Sequence, residues 1–198
     1  MRLVVNGCSH TGGAELEYPQ QDTCYDKAWG SHLSGKLGYD YTNLSISGAS
    51  CDRVTRTTYE FIHDYIKLKG SIKDILFVIL WPGTYRTDLY ITKKNGSKKW
   101  QHMVAGNDEQ YKKHFSDITY RYYQRWVAAT TKHQHCYNYL INVVNLQNLF
   151  KRYKLPYLFV DSANIGIEIY NDSLNYIKMH IDRKYYFGFE DDLLSYTA

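Results

Sequence analysis

One apolar stretch decides the fold of this chain: ILFVILW, at residues 75–81. It offers no polar face to solvent, so we expect a strand buried on both faces, as in the middle of a parallel sheet. Shorter strand patterns occupy residues 2–6, 39–44 and 156–161. The sequence therefore predicts four strands, with residues 75–81 as the most deeply buried.

Segments with apolar residues at helical spacing lie between and after these strands. They occupy residues 25–37, 52–68 and 108–153, followed by short pieces at 172–179 and 189–196. Gly38 and Gly70 are expected to end the first two helices. The third segment is too long for one ordinary helix, so we expect a break near Thr130-Thr131. Strands that alternate with helices predict an α/β fold, a three-layer αβα sandwich with a mainly parallel sheet, in which residues 1–198 form a single domain.

The charge balance argues against a nucleic-acid partner. The chain of 198 residues has 24 basic and 20 acidic side chains, a net charge of +4, and its charges are dispersed. The lysine pairs at 93–94 and 98–99 flank an Asn95-Gly96 turn, which predicts a hairpin over residues 89–103 with a solvated tip. No stretch approaches about 18 apolar residues, so we expect no membrane partner either.

The cysteines and the N-terminus predict a cytoplasmic location. The four cysteines are widely spaced, without a Cys-x-x-Cys pair, so reduced thiols are expected. Residues 1–6 are too short for a secretory signal and run directly into a motif. Later release by cell lysis stays open, and with it an association with a virion.

Tyrosine is the unusual component of the composition, with 21 residues. An AT-rich genome is one explanation, because the chain is also rich in Asn, Ile and Lys. A surface for carbohydrate or protein is the other, since a flat amphipathic ring costs little entropy to fix. Both explanations stay open.

Loops at the carboxyl edge of such a sheet are the places where ligands bind. Three of them span residues 7–13, 45–53 and 81–88, and a fourth follows Asp161. The first contains a serine directly after a buried strand, among small neighbours. Hydrolysis by serine needs that placement, because the hydroxyl must reach a carbonyl carbon while backbone donors face the developing oxyanion.

Two short motifs resemble a known family. The segment GCSHT, residues 7–11, is similar to the first block of the SGNH (GDSL-like) hydrolases, in a variant common in phage and bacterial relatives. The segment NLSISG, residues 43–48, has the Asn and Gly spacing of the second block. The resemblance implies a flavodoxin-like sheet, Ser9 as nucleophile, and the N–H groups of Ser9 and Gly48 as donors to the oxyanion.

The third block of the family departs from the pattern. The family has Gly-x-Asn-Asp after the third strand, where the Asn side chain is an oxyanion donor, but this chain reads WPGTYR at residues 81–86. Arg86 is the candidate replacement, since a guanidinium stabilises negative charge. The alternative is a structural arginine paired with Asp88 or Asp52.

The last block of the family, Asp-x-x-His, has no counterpart in the sequence, because no Asp is followed three residues later by His. We expect the missing block beyond Ala198, and the alternative is a degenerate member without catalysis. His10 is a further candidate for the base, although side chains of adjacent residues on a tight turn seldom face each other.

Other chemistry-bearing residues have structural explanations. His133 and His135 are poorly spaced for a metal on a helix, so no metal or cofactor is expected. Cys8 is an alternative nucleophile, but a small packed thiol is expected, because nothing nearby in the sequence is set to lower its pKa. Asp161 either lines the site or caps the following helix.

The resemblance implies a serine esterase that acts on an acyl or acetyl ester of a carbohydrate or lipid. The alternative is a binding or structural protein on the same scaffold, such as a phage virion component, with Tyr and Trp contacting glycan or a partner subunit. A homo-oligomer is compatible with either. A nucleotide-binding domain is disfavoured, since Gly7, Gly12 and Gly13 do not match the phosphate-loop spacings. The predicted hairpin either shapes the pocket entrance or forms a subunit contact.

Overall fold

A computed structural model describes residues 1–14, 16, 23–69, 72–161 and 172–188 of the chain. These residues form the strands β1 (Arg2–Asn6), β2 (Asp40–Asn43), β3 (Ile75–Trp81), β4 (Arg86–Thr92), β5 (Lys98–Val104), β6 (Tyr157–Asp161) and β7 (Tyr186–Phe187). The main sheet has the order β2-β1-β3-β6-β7, and every neighbouring pair is parallel. The α/β architecture predicted from the sequence is confirmed.

Helices connect the strands and cover the sheet. Their bounds are α1 (Ser9–Gly12), α2 (Trp29–Leu37), α3 (Cys51–Lys69), α4 (Asp108–His114), α5 (Asp117–Ala129), α6 (Lys132–Tyr153) and α7 (Asn175–Lys178). Short 3₁₀ turns precede α7 and β7, at Asp172–Leu174 and Arg183–Tyr185.

The two faces of the sheet bury alternate side chains of the same strands, because successive strand residues point to opposite faces. On one face Val4 and Phe77 join the large core formed with α3 and α6. On the other face Leu3, Val5 and Val78 form a smaller cluster with residues of α2 such as Trp29. Helices on both faces make the arrangement a three-layer sandwich.

Strands β4 and β5 form an antiparallel hairpin outside the main sheet, as predicted from the Asn95-Gly96 turn. One side of the hairpin supplies Ile91 and Met103 to a second small core with Tyr111, Phe115 and Tyr123 of the α4–α5 region. The hairpin therefore has packing of its own, away from the central strands.

The long helical segment breaks where threonine and serine cap the next helix. Thr131 accepts a hydrogen bond from the Gln134 N–H at the start of α6, which confirms the break expected at Thr130-Thr131. A second break, which the periodicity missed, lies before α5, where Ser116 accepts from the Thr119 N–H.

Other boundaries differ from the sequence predictions. Helix α2 begins at Trp29 rather than at residue 25, because Ala28 is extended and residues 24–28 form a turn instead. Gly38 ends this helix with a φ of 66°, as expected. The short strand β7 was not predicted. The piece expected at 189–196 and the helix end at Gly70 lie outside the described residues.

The described part of the chain contains no helix that is both long and apolar enough to span a membrane.

Candidate functional site

The loops that follow β1, β2 and β3 lie together at the carboxyl edge of the sheet, as the sequence predicted. The Asn43 side chain donates from Nδ2 to the carbonyl oxygen of Thr11 at 2.9 Å, which joins the loop after β2 to α1. The Cys51 thiol lies 3.6 Å from the carbonyl oxygen of Pro82, which joins the start of α3 to the loop after β3.

Ser9 lies where the central strand β1 gives way to α1, two residues beyond Gly7. The residue is partly exposed, although Cys8 before it and Thr11 after it are buried. Within the described residues, its hydroxyl has no hydrogen-bond partner. As the first residue of α1, Ser9 also has a backbone N–H without an intrahelical acceptor.

Asn43 organises the segment that leads from β2 towards Gly48. Its Oδ1 accepts hydrogen bonds from both the N–H and the hydroxyl of Ser45, at 3.0 and 2.6 Å. At the other end of the same amide, Nδ2 donates to the carbonyl oxygen of Thr11 in α1. A single amide side chain therefore fixes the loop of the second motif against the helix that begins with Ser9.

Gly48 occupies a tight turn. The Ala49 N–H donates to the Ile46 carbonyl oxygen at 3.2 Å, and Gly48, at the third position of this turn, has a φ of 76°. A positive φ at that position is what a type II turn requires, and glycine adopts it without steric cost. Among the described residues, no acceptor takes the Gly48 N–H.

The His102 imidazole packs directly on Gly48. A Cβ placed on Gly48 would lie 2.9 Å from both Cδ2 and Nε2 of the ring. His102 is a partly buried residue of β5, opposite Asp88 of β4. The inserted hairpin thus brings a histidine to the turn that carries the predicted oxyanion donor.

The surroundings of His102 favour a neutral imidazole. Burial lowers the pKa of His102, and the nearby positive charges of Arg53, Lys99 and Arg86 lower it further. The backbone carbonyl of His102 accepts a bond from the Gln101 side chain at 3.0 Å. The described residues supply no hydrogen bond to the ring nitrogens.

Arg86 adjoins the same turn. Its Nη1 donates to the carbonyl oxygen of Ala49 at 3.2 Å. Neither of the carboxylates proposed as alternative partners takes this role in the described structure. Asp88 pairs instead with Arg56 at 2.8 Å, and Asp52 accepts from Thr87 and Asn142. Arg86 therefore lies beside the loop of Gly48, with its guanidinium held by a backbone carbonyl.

A cleft of about 530 Å³ opens between the Gly48 turn and the hairpin; we call it the hairpin cleft. Its lining consists of Thr23, Tyr25, Ile46, Ser47, Gly48, Gln101, His102, Val104, Asn107, Gln110 and Tyr111. These side chains are amides, hydroxyls, aromatic rings and aliphatic groups, without a carboxylate, lysine or arginine. Ser9 and Arg86 are not among the lining residues, so Gly48 is the sequence-predicted residue that borders the cleft.

Asp161 neither lines this cleft nor caps a described helix. It is buried at the end of β6, and its Oδ1 accepts hydrogen bonds from Tyr139 and Tyr186 at 2.8 and 2.7 Å. The two tyrosine hydroxyl oxygens also lie against each other. Burial raises the pKa of Asp161 to about 7, against the opposing effect of the two tyrosine bonds.

Two histidines and a cysteine that were also considered from the sequence lie in different environments. His10 is exposed on α1, next to Ser9 in the chain. His135 is buried and packs edge-on against the rings of Tyr85 and Trp126. Cys8 is a buried free thiol.

Sequence reasoning missed His102. No motif surrounds this histidine, and it lies in an insertion rather than in a loop after a main-sheet strand. A contact between a strand of the hairpin and a loop far away in sequence leaves no periodic signal, so only the packing of the hairpin reveals it.

Comparison with known families matches residues 15–191 to a family described as a family of unknown function (DUF6071). The matched range includes Asn43, Gly48, Arg86 and His102 and begins after Ser9. A search of the curated proteins finds no match.

Proposed function

We propose that this chain, which belongs to the DUF6071 family, is an ester hydrolase with Ser9 as its nucleophile. One observation carries the proposal: a partly exposed serine hydroxyl without a partner among the described residues follows the central strand, and Asn43 ties its helix to the loop of Gly48. Nucleophilic catalysis by serine needs a hydroxyl placed in this way beside backbone donors.

The neighbouring groups supply the charge stabilisation that acyl transfer requires. The Ser9 oxygen would attack the ester carbon, and negative charge would develop on the carbonyl oxygen. The backbone N–H groups of Ser9 and Gly48 are the proposed donors to that oxygen. Arg86, whose guanidinium bonds to Ala49 beside this turn, adds positive charge where the SGNH hydrolases use an Asn side chain.

The lining of the hairpin cleft favours a carbohydrate ester over a lipid ester. Three amide side chains, Gln101, Asn107 and Gln110, offer donors and acceptors for sugar hydroxyls, and Tyr25 adds a partly exposed ring. A long acyl chain would leave these amides without partners, which costs free energy. We therefore propose an uncharged, hydroxyl-rich alcohol as the leaving group.

The test is hydrolysis of p-nitrophenyl acetate and of glucose pentaacetate by the chain and by Ser9→Ala. We expect the variant to lose at least roughly 10³-fold in kcat, because the residual rate comes from binding and oxyanion stabilisation alone. Ser31→Ala in α2 is the matched control and should retain the parent rate. Equal rates for the parent chain and Ser9→Ala would refute the proposal.

A non-catalytic binding protein on the same scaffold is the second candidate. An exposed aromatic pair on the hairpin, Tyr90 and Trp100, favours it, with ring centroids 5.6 Å apart. Flat exposed rings of this kind contact sugars or partner proteins. Glycan binding by a chain that hydrolyses neither ester would support this candidate over the esterase.

We propose the cytoplasm as the place where the protein works. Cys8, Cys51 and Cys136 are free thiols, and all three are buried. Unpaired thiols persist in reducing compartments. Labelling of the unfolded protein, isolated under thiol-blocking conditions, would report whether the cysteines are reduced in the cell.

A further inference from the structure

We infer that His102, delivered by the β4–β5 hairpin, is the general base for the reaction at Ser9. The inference rests on the proposed function, since it names the group that receives the proton of the attacking hydroxyl. It assigns to an inserted hairpin the role that the SGNH hydrolases, which the chain resembles in two short motifs, give to a histidine in their last block.

The position of the imidazole carries the inference. In acyl transfer by serine, the base and the oxyanion donors both lie around the reacting carbonyl group. Gly48 is the proposed oxyanion donor, and the His102 ring packs against it with the edge formed by Cδ2 and Nε2. A carbonyl group bound at the Gly48 N–H would therefore meet this histidine.

Space for a substrate exists on the same side. Gly48 and His102 both line the hairpin cleft, whose volume of about 530 Å³ suits a small ester. His10, the alternative base, is exposed and does not line the cleft. The two histidines thus differ in their surroundings: His102 packs against the proposed oxyanion donor Gly48, whereas His10 is next to Ser9 in the chain.

The surroundings of His102 favour its neutral form, which can accept a proton. The groups that surround it from the neighbouring elements are Arg53 of α3, Arg86 and Asp88 of β4, Lys99 of β5 and Tyr111 of α4. Asp88 is paired with Arg56 at 2.8 Å. Burial lowers the pKa of His102 most, and the positive charges of Arg53, Lys99 and Arg86 lower it further. A neutral imidazole is the form that acts as a base.

The proton transfers balance without a further reactant. As the Ser9 oxygen bonds to the acyl carbon, its proton passes to His102 and the carbonyl π pair moves to oxygen. The tetrahedral intermediate then expels the alcohol oxygen, which takes that proton. Water attacks the acyl-serine in the same way, giving the carboxylic acid and restoring both Ser9 and neutral His102.

The experiment compares His102→Gln, His10→Gln and His32→Gln, the last as a control on the exposed side of α2. We expect kcat for p-nitrophenyl acetate to fall by roughly 10²- to 10⁴-fold in His102→Gln and to stay within about twofold in the other two. In the parent, kcat/KM should fall at acid pH with an apparent pKa below the ordinary value for histidine. This fall should be absent in His102→Gln. Circular dichroism establishes that each variant is folded.

A second measurement is independent of turnover. Ser9 should react with a fluorophosphonate, with the labelled residue identified by mass spectrometry, and the rate should fall in His102→Gln by a similar factor. In His102→Ala, added imidazole should restore part of the rate.

The outcomes separate the two proposals. Labelling of Ser9 that is equally fast in the parent and in His102→Gln, or loss of rate in His10→Gln instead, would overturn the role of His102 and leave the esterase standing. An absence of both labelling and hydrolysis would overturn the esterase and the base together.

Discussion

At Gly48 two constraints act on one residue. Its φ of 76° lies in the left-handed region, and the space where a Cβ would stand is occupied by the His102 ring. A side chain at this position would be strained by the backbone and would also displace the imidazole.

We therefore predict that Gly48→Ala destabilises the protein and impairs catalysis. The backbone strain alone should lower the free energy of unfolding by roughly 1–2 kcal/mol, and displacement of His102 should lower kcat. Urea unfolding and the esterase assay measure the two effects. In the His102→Ala variant the clash with the imidazole should vanish. Gly48→Ala should then lower the free energy of unfolding by less than it does in the parent.

Gly35→Ala is the matched control. Gly35 lies within α2 and has no neighbouring atom within 4 Å of the added Cβ. Alanine should raise the free energy of unfolding there by about 0.5–1 kcal/mol, because it restricts the unfolded chain and favours the helix. Equal destabilisation at both glycines would contradict the account of Gly48.

At the scale of elements, the hairpin is held on α3 by a largely buried ion pair. Arg56 donates from Nε and Nη2 to Asp88 Oδ2, both at 2.8 Å, and its guanidinium lies 4.4 Å from the ring centroid of Trp100. The Asp88 side chain is only 2% exposed. Burial raises the pKa of Asp88, and the bond from Arg56 opposes that rise.

Removing Arg56 should loosen the hairpin. In Arg56→Gln the Asp88 carboxylate loses its charged partner, which costs about 3 kcal/mol when a buried charge is left unpaired. We expect faster hydrogen exchange at the amides of β4 and β5 and unchanged protection in β1 and β3. Exchange measured by mass spectrometry tests this expectation, and loss of protection throughout the sheet would contradict it.

Glu60 provides the control for this pair. It binds the same arginine at 2.9 Å from an exposed position on α3, so Glu60→Gln should change stability by less than about 1 kcal/mol. The double variant Arg56→Gln with Asp88→Asn should recover part of the protection of β4 and β5 against hydrogen exchange, because no buried charge is then left without a partner.

At the scale of the molecule, one buried carboxyl group makes stability depend on pH. Asp161 has a pKa of about 7 in the folded chain, raised by burial against its bonds to Tyr139 and Tyr186. Its value in the unfolded chain is the ordinary one, about 3.9. Between these values the unfolded state ionises while the native state keeps its proton, so rising pH favours unfolding.

We predict that the contribution of Asp161 to stability is fully present below about pH 4 and declines by at most roughly 1.4 kcal/mol per pH unit up to about pH 7. Urea unfolding across this range, compared with Asp161→Asn, isolates the effect, because the amide does not titrate. The stability difference between parent and variant should change with pH in this window. Asp64→Asn, at an exposed position of α3, is the control for the loss of one carboxylate.

The tyrosine content acquires a third explanation from the packing. Tyr111, Tyr123, Tyr139, Tyr157 and Tyr186 are buried, and they belong to the two larger cores. Part of the unusual composition is therefore structural, whatever its origin in the genome. The exposed Tyr90 remains as a candidate for contact with a ligand or partner.

Local patterns in the sequence determined the framework of the protein. Uninterrupted apolarity at 75–81 identified the buried strand β3, and the glycine at 38 identified a helix end. The Asn95-Gly96 pair located the hairpin. These features depend on neighbouring residues, which is why periodicity and turn chemistry suffice to predict them.

The tertiary structure alone decided which distant residues meet. Arg86 bonds to Ala49 rather than to Asp88 or Asp52. His102 reaches Gly48 only because the hairpin folds back over α3. Such contacts depend on how packed elements are oriented, and no local pattern encodes that orientation. The sequence thus named the serine and the glycine as candidates, whereas the fold supplied the histidine that packs on the glycine.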